Sequence, residues 1–269
     1  IGEASIGWCG YPLDKRIFPW NHANCGDLNL SGERRPQSYL RETLWSDAPV
    51  SHIVVTPPVP SFPLNPDKAD WSVWDFPDVV DHWNFPGYEG KKMTVSVYSN
   101  CEQVELFLNG ESLGKQENTA DKKNTLAWEV PYAHGILKAV SYNKGGEVGT
   151  ATLESAGKVE KIRLSADRTE IVADGNDLSY ITLELVDSKG IRNQLAEELV
   201  EFSIAGDATI EGVGNANPMS IESFVANSRK TWRGSNLLVV RSGKSSGRII
   251  VTAKVKALPV ASITITQKK

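Results

Sequence analysis

Apolar and polar residues alternate along most of the chain beyond residue 92. In KMTVSVYSN, residues 92–100, Met93, Val95 and Val97 are separated by Thr94, Ser96 and Tyr98. A period of two is typical of a strand with one buried face. Several such segments follow, each short and separated from the next by turn residues. They predict an antiparallel β-sandwich.

The most specific local signal is VELFLNGESLGK, residues 104–115. Asn109 and Gly110 both tolerate positive φ, which predicts a hairpin with a type I′ turn. Val104, Leu106 and Leu108 would supply its buried face. Folding explains every residue of this segment, so it predicts scaffold and no chemistry.

A second series of alternating segments begins near Lys158 and predicts a second sandwich of immunoglobulin-like size. Two apolar faces are clear within it. Their members are Ile181, Leu183 and Leu185, and Ile249, Val251, Ala253 and Val255.

The front of the chain has a different pattern. Six of the eight Trp precede residue 84, and RRPQSYLRETLW predicts a helix with Pro36 at its first position. Its predicted apolar face comprises Tyr39, Leu40, Thr43 and Leu44. A segment with five prolines, residues 56–66, then predicts an extended linker or edge segment.

Composition excludes several classes of protein. The 269 residues carry a net charge of −4, so no basic footprint for nucleic acid is present. No apolar run approaches the ~20 residues of a membrane span. Cys9, Cys25 and Cys101 show no metal-ligand spacing and are expected to be free thiols, although a Cys9–Cys25 bridge stays open. The first residues show no signal peptide and no initiator Met, from which we expect the rear part of a longer protein.

Motifs of catalysis or metal binding are weak. None of the four His belongs to a recognisable nucleophile motif, and GVGNAN, residues 212–217, predicts a β-turn rather than a phosphate loop. Asp174, Asn176, Asp177 and Asp187 form a candidate calcium cage, but Asx-turns explain the same residues. We therefore predict no metal and no cofactor.

Aromatic residues are dense in residues 71–90. Because sugars stack their C–H faces on aromatic rings, Trp71, Trp74 and Trp83 are a candidate glycan platform. In the alternative interpretation these residues and Phe85 pack between domains or form the sandwich core.

Three collinear stretches resemble glycoside hydrolase family 2, the β-galactosidase type. Residues 1–45, with GDLNLSGERRPQSYLRETLW, resemble the end of the family's (β/α)₈ barrel. Residues 82–115, with HWNF and VELFLNGESLG, resemble the β-domain that follows the barrel. Residues 162–215 are similar to an invasin-like domain that often closes these chains.

The resemblance implies a mainly β chain of three parts. A short α-containing remnant of the TIM-barrel end covers 1–48, an immunoglobulin-like antiparallel β-sandwich covers 49–156, and an invasin-like sandwich covers 157–269. The unusual loop WCGYPLDKRI, residues 8–17, and Phe85, where family members commonly have Trp, depart from the family pattern.

The resemblance also implies which residues meet the sugar. In relatives both catalytic carboxylates lie upstream of residue 1, so no catalytic residue is expected here and the chain alone is expected to be inactive. Glu3 follows the eighth barrel strand and is expected to have a positioning or structural role. Trp8, Tyr11 and Trp20 are the expected substrate-binding residues, with core packing as the alternative.

The expected function is therefore that of the C-terminal, non-catalytic part of a retaining β-glycoside hydrolase that acts on oligosaccharides or glycans. Its expected partners are the carbohydrate substrate and its own catalytic barrel, without nucleic acid, in the periplasm or outside the cell. The alternative is an independent carbohydrate-binding or adhesive immunoglobulin-like module. The sequence leaves the sugar, the linkage and the oligomeric state open.

Overall fold

The computed structural model describes residue 19, residues 26–62 and residues 77–269. Strands dominate these residues, which confirms the predicted fold class. The chain divides into two compact units, Ile1–Ser155 and Ala156–Lys269. The three-part division into 1–48, 49–156 and 157–269 stays a prediction.

The first unit consists of one short helix and two antiparallel sheets with the orders β1-β2-β5 and β4-β3-β6-β7. A 3₁₀ turn at Ala120–Lys122 precedes β5. The elements are α1 Ser38–Trp45, β1 Ser51–Val55, β2 Lys92–Ser99, β3 Gln103–Leu108, β4 Glu111–Glu117, β5 Thr125–Pro131, β6 Ile136–Asn143 and β7 Gly146–Glu154.

The predicted hairpin is confirmed as β3 and β4. Asn109 and Gly110 have φ values of 51° and 88°, as a type I′ turn requires. Val104 and Leu106 are fully buried, and Leu108 packs against the same core. The Asn109 side chain accepts a hydrogen bond from the Ile136 amide at 2.8 Å and donates to the His134 carbonyl at 3.2 Å, so it ties this turn to the start of β6.

Both sheets of the first unit contribute to one core. Ile53, Val95 and Leu126 come from the first sheet, and Leu106 and Leu137 come from the second. The apolar residues of each strand point toward the facing sheet. An antiparallel sheet in this way buries its apolar face and leaves its polar face in solvent.

An aromatic cluster completes this core. Trp83 is fully buried, and its indole donates to the Ala133 carbonyl at 2.8 Å. Its ring meets Tyr132 edge-on with centroids 4.9 Å apart, and Phe85 packs edge-on against both rings. The Tyr132 hydroxyl accepts a hydrogen bond from the Phe85 amide at 3.0 Å. Residues 77–91, which contain no regular strand, are thus held against the sandwich by their own aromatic residues.

The second unit pairs two larger sheets with the orders β12-β14-β10-β8 and β13-β11-β15-β16-β9. All described pairs are antiparallel except β16 with β9. Its strands are β8 Lys161–Ala166, β9 Glu170–Val172, β10 Leu178–Val186, β11 Leu199–Ala205, β12 Ala208–Gly214, β13 Ser228–Lys230, β14 Ser235–Ser242, β15 Gly247–Val255 and β16 Ala261–Lys268.

Both predicted apolar faces of the second unit are confirmed. Ile181, Leu183 and Leu185 of β10 are fully buried, and the alternating residues of β15 from Ile249 to Val255 are buried against them in one core.

The helix prediction needs two corrections. The helix begins at Ser38, and Pro36 lies in the turn before it. Leu44, predicted on the buried face, is 66% exposed, and Trp45 after it is 85% exposed. Two other members of the predicted face do pack: Tyr39 stacks on His52, and Thr43 is buried with its hydroxyl accepting a hydrogen bond from Asn124 at 3.0 Å.

The proline-rich segment is described only in part. Residues 56–62 contain no strand, and residues 63–66 lie outside the described residues. Val55, which ends β1, exchanges backbone hydrogen bonds with Val80. In the described ranges, no helix is long and apolar enough to span a membrane.

Two tryptophans give a matched test of this packing. We expect Trp83→Ala to lower the free energy of unfolding by about 3–5 kcal/mol, because a large buried side chain leaves a cavity. Trp45→Ala, at an 85% exposed position, should change it by less than about 0.5 kcal/mol in the same chain. Urea unfolding of both variants measures this, and equal losses would contradict the core position of Trp83.

Candidate functional site

Most of the predicted site residues lie outside the described residues. The expected substrate-binding residues and two members of the glycan platform stay predictions, as do the role of Glu3 and the Cys9–Cys25 bridge. The site residues concerned are Trp8, Tyr11, Trp20, Trp71 and Trp74. Cys101 carries a free, buried thiol.

Trp83 is the described member of the predicted glycan platform. It follows the alternative interpretation, since it is a core residue packed with Phe85 and Tyr132. A ring with no exposed face has no surface on which a saccharide could stack. A sugar platform built on Trp83 is therefore incompatible with this arrangement.

The acidic candidate cage is satisfied by backbone amides. Asp174 Oδ1 accepts from the Asn176 and Asp177 amides at 2.8 Å each, and these two bonds lower the pKa of Asp174. Asp177 Oδ2 accepts from the Val172 amide at 2.8 Å, which lowers its pKa. The Asp174 bonds are the Asx-turn contacts that the sequence offered as the alternative to calcium, and the Asp177 bond reaches back to the end of β9.

Asp187 has a separate role at the turn after β10. Burial raises its pKa, but hydrogen bonds from the amides of Gly157, Ile191, Lys189 and Gly190 outweigh burial, so the pKa is lowered overall. The carboxylate holds the turn and the start of the second unit together. Among the described residues, no group of three His, Cys, Asp or Glu is arranged to hold a metal ion.

His52 on β1 has a strongly lowered pKa. Its ring stacks on Tyr39 with centroids 3.5 Å apart and planes 10° apart, and the Arg34 guanidinium lies 3.9 Å from the Tyr39 ring centre. His52 Nε2 is buried and has no hydrogen-bond partner among the described residues. The pKa of His52 is lowered to about 4, mainly by burial; Arg34 also lowers this pKa, while Asp81 and Glu42 raise it.

This cluster is a structural contact between helix and sheet. Neutral imidazole stacks on the phenol without the cost of a buried charge, so Tyr39 and His52 hold α1 on β1. A lone His gave no such signal in the sequence, because the contact joins residues 13 positions apart through the fold.

Sequence reasoning also missed a buried arginine in the second unit. Arg229 on β13 is 1% exposed, and its guanidinium organises the connection between β12 and β13, residues 215–227. The predicted β-turn region, residues 212–217, contributes the end of β12 and a positive φ of 58° at Ala216. The described connection contains no helix, in agreement with the rejection of a phosphate loop.

The two described units are consecutive antiparallel β-sandwiches, and this is the class of fold to which the chain belongs. Both units match known protein families. Residues 162–264 match the glycoside hydrolase family 2 C-terminal domain 5. Residues 90–149 match a family described as a domain of unknown function (DUF4982).

Similar proteins extend the match over nearly the whole chain. A solved glycosyl hydrolase family 2 member from Bacteroides cellulosilyticus is 99% identical with a TM-score of 0.94, over 98% of this chain and 34% of that one. The β-galactosidase BoGH2A of Bacteroides ovatus is 31% identical over 94% of this chain and 26% of its own length. A β-glucuronidase of Formosa agariphila is 31% identical over 74% of this chain and 20% of its own length.

The chain belongs to glycoside hydrolase family 2 and corresponds to the C-terminal region of its members, as the sequence motifs predicted. It spans about a quarter of the first of these curated relatives and about a third of the solved Bacteroides protein.

The His52 cluster predicts a pH dependence of stability. The folded-state pKa of His52 is depressed to about 4 from the ordinary 6.5, so the unfolded chain binds the proton first as pH falls. The contribution of this group is constant above pH 6.5 and should be lost between pH 6.5 and 4. Urea midpoints measured across this range should fall less steeply in His52→Gln than in the unsubstituted chain. His134→Gln, at an exposed position, is the control. Identical slopes for all three proteins would contradict the assignment.

Proposed function

We propose that this chain is the non-catalytic C-terminal part of a retaining β-glycoside hydrolase of the β-galactosidase type. The observation that carries the proposal is that 98% of the chain aligns with only 34% of a family 2 protein. The family reaction uses an acid/base carboxyl and a nucleophilic carboxylate about 5–5.5 Å apart. In this proposal both groups belong to the portion of the full-length enzyme outside the chain.

The proposed role of the described residues is to support the catalytic barrel. Helix α1, which resembles the end of that barrel, presents Leu44 and Trp45 as consecutive exposed apolar residues. Large exposed apolar side chains in a group often mark a contact surface. In the full-length protein these two residues would pack against the barrel.

The connection between α1 and the first sandwich is suited to that role. Asn100 Nδ2 donates to the Ser46 and Ala48 carbonyls at 2.9 Å each, and its Oδ1 accepts from the Val50 amide at 2.8 Å. Asn124 donates to Thr43 within the helix. Two asparagines of the sandwich thus fix the chain on both sides of Trp45. A helix that packs against the barrel would therefore be connected to the sheets by direct hydrogen bonds.

The proposed substrates are β-glycosides of oligosaccharides or glycans. The curated relatives include both a β-galactosidase and a β-glucuronidase, so the sugar is the part of the proposal that most needs testing. Trp8, Tyr11 and Trp20 remain the proposed contacts of this chain with the sugar. A periplasmic or extracellular location is proposed with the glycan substrate and is tested by cell fractionation.

The activity is tested with two proteins and two substrates. Purified 1–269 should release no 4-nitrophenol from β-galactoside or β-glucuronide, because both catalytic carboxylates are outside it. The full-length protein should hydrolyse one of the two, with the β-anomer as the first product by NMR. Turnover by 1–269 that an active-site inhibitor abolishes would overturn the proposal. Calorimetric binding of oligosaccharides by 1–269 would instead favour a carbohydrate-binding module.

The supporting role is tested by one substitution in two contexts. Trp45→Ser should lower the unfolding free energy of the full-length protein by about 2–4 kcal/mol, because an indole that packs on the barrel would return to water. In 1–269 the same substitution should have almost no effect, since Trp45 is already exposed. Equal small effects in both proteins would contradict the contact.

A further inference from the structure

The connection between β12 and β13 in the second unit, residues 215–227, displays three apolar side chains. Ile221 is 82% exposed, Phe224 is 52% exposed and Val225 is 81% exposed. We call these three residues the apolar tip. Isolated exposed apolar residues are ordinary, but three within five positions of one connection form a patch of the kind that marks contacts.

The apolar tip rests on a buried cation. The Arg229 guanidinium donates to the Val213 carbonyl at 3.0 Å, to the Glu222 carbonyl at 3.2 Å and to the Ser220 hydroxyl at 2.9 Å. It also lies 4.3 Å from the Phe224 ring centre. Burying a guanidinium is costly unless its donors are used. Here β12 supplies one acceptor and the connection supplies two, and the buried Nε, which has no hydrogen bond within the described part of the chain, lies 4.0 Å from the Glu222 carboxylate.

Further hydrogen bonds fix the same segment along its length. The Val213 amide donates to the Phe224 carbonyl at 2.8 Å, which attaches the tip to β12. The Glu222 carboxylate accepts from the Lys230 amide at 3.0 Å and from the Ser220 hydroxyl at 3.1 Å. The apolar tip is therefore held in one shape before anything binds it, which reduces the entropy lost on contact.

The chemistry of the tip selects an uncharged, apolar partner. Residues 223–228 read SFVANS and carry no charge, and the nearby Glu222 is occupied within the connection. The tip itself offers no cation to a nucleic acid or an anionic polymer, because the Arg229 guanidinium beneath it is buried and the exposed Lys230 lies on β13, outside the tip.

The size of the tip selects a tethered partner. Three side chains form a patch of a few hundred Å², well below the ~800 Å² per partner of a stable interface between separate molecules. A contact within one polypeptide needs less area, because tethering supplies an effective concentration of about millimolar. The 99% identical solved protein is roughly three times as long as this chain, so most of its polypeptide lies outside it.

We infer that the apolar tip docks onto an apolar surface of the same polypeptide outside residues 1–269, with Arg229 as the residue that positions it. The inference rests on the proposed function only in taking the chain as part of a longer protein. It adds a contact from the second unit, independent of the helix α1 contact.

The test uses the full-length protein and a matched pair of cysteine variants. Val225→Cys replaces a tip residue that is 81% exposed in this chain, and Val260→Cys replaces a valine elsewhere in the unit that is 58% exposed. Maleimide labelling of each is corrected for the native cysteines. Since labelling requires an accessible thiolate, docking should make Val225→Cys react at least about tenfold more slowly than Val260→Cys. The rates should become equal in urea.

Each other outcome overturns the inference. Labelling of Val225→Cys as fast as Val260→Cys means that the tip is free. Protection that appears only at high protein concentration identifies a second copy as the occupant. Protection only after addition of an oligosaccharide, or of phosphatidylcholine vesicles, identifies a saccharide or a membrane.

A second measurement covers the case in which a cysteine variant fails to fold. With p-benzoyl-phenylalanine at position 224, irradiation should crosslink the tip to a peptide outside residues 1–269 of the same molecule. Crosslinks confined to residues 1–269, or to a second molecule, overturn the inference. A full-length protein that is protected at the tip but lacks β-glycosidase activity would sink the proposed function and leave this inference standing. A full-length protein that is active but unprotected at the tip would overturn this inference and leave the proposed function standing.

Discussion

The structure depends on one constraint, which is that every sheet has a single apolar face and that face must be covered. Each unit meets it by placing two sheets face to face around one core, with Leu106 and Val95 opposed in the first and Ile181 and Val251 in the second. Neither sheet of a pair would be stable in water alone, since an isolated sheet leaves its apolar face hydrated. The aromatic cluster around Trp83 extends the same principle to residues 77–91, which contain no regular strand.

Because the apolar faces of the strands are buried in the two cores, we expect to find contact surfaces in the segments outside the sheets. Helix α1 and the connection 215–227 both lie outside the sheets, and both present large apolar side chains to solvent. Both are also fixed by polar side chains of the scaffold, Asn100 and Asn124 for the helix and Arg229 for the apolar tip. Loops placed by a rigid sandwich are the usual location of binding surfaces. A supporting role within a larger enzyme is consistent with this division between rigid core and exposed connection.

The sequence predicted what local periodicity determines. Alternation in β3, β10 and β15 predicted which side chains are buried, because a strand has only two faces and one of them must be apolar. The helix was harder, since which of its faces is buried depends on the partner it meets. The pattern placed both Thr43 and Leu44 on the packed face, whereas the fold buries Thr43, which accepts a hydrogen bond from Asn124, and leaves Leu44 exposed.

The candidate site was less predictable than the fold. An arginine between two polar residues is typical of a surface, so the burial of Arg229 follows only from the acceptors that the 215–227 connection folds around it. The stacking of His52 on Tyr39 likewise needs the fold to bring α1 onto β1. Trp83 had two interpretations in the sequence because an aromatic residue serves a core and a sugar platform equally well, and only its burial distinguishes them.

The hairpin at Asn109 carries more than its turn type suggests. Aspartate and glycine also suit the first centre of a type I′ turn, but neither has an amide that can donate to the His134 carbonyl while its oxygen accepts from Ile136. Asn109-Gly110 therefore has two roles: it gives the backbone shape of the turn, and the Asn109 side chain joins this turn to residues 134–136. A homologue with Asp-Gly at this position would keep the hairpin and an acceptor for the Ile136 amide, but it would lose the bond to the His134 carbonyl, so the choice between two suitable turn residues depends on a contact 25 residues away.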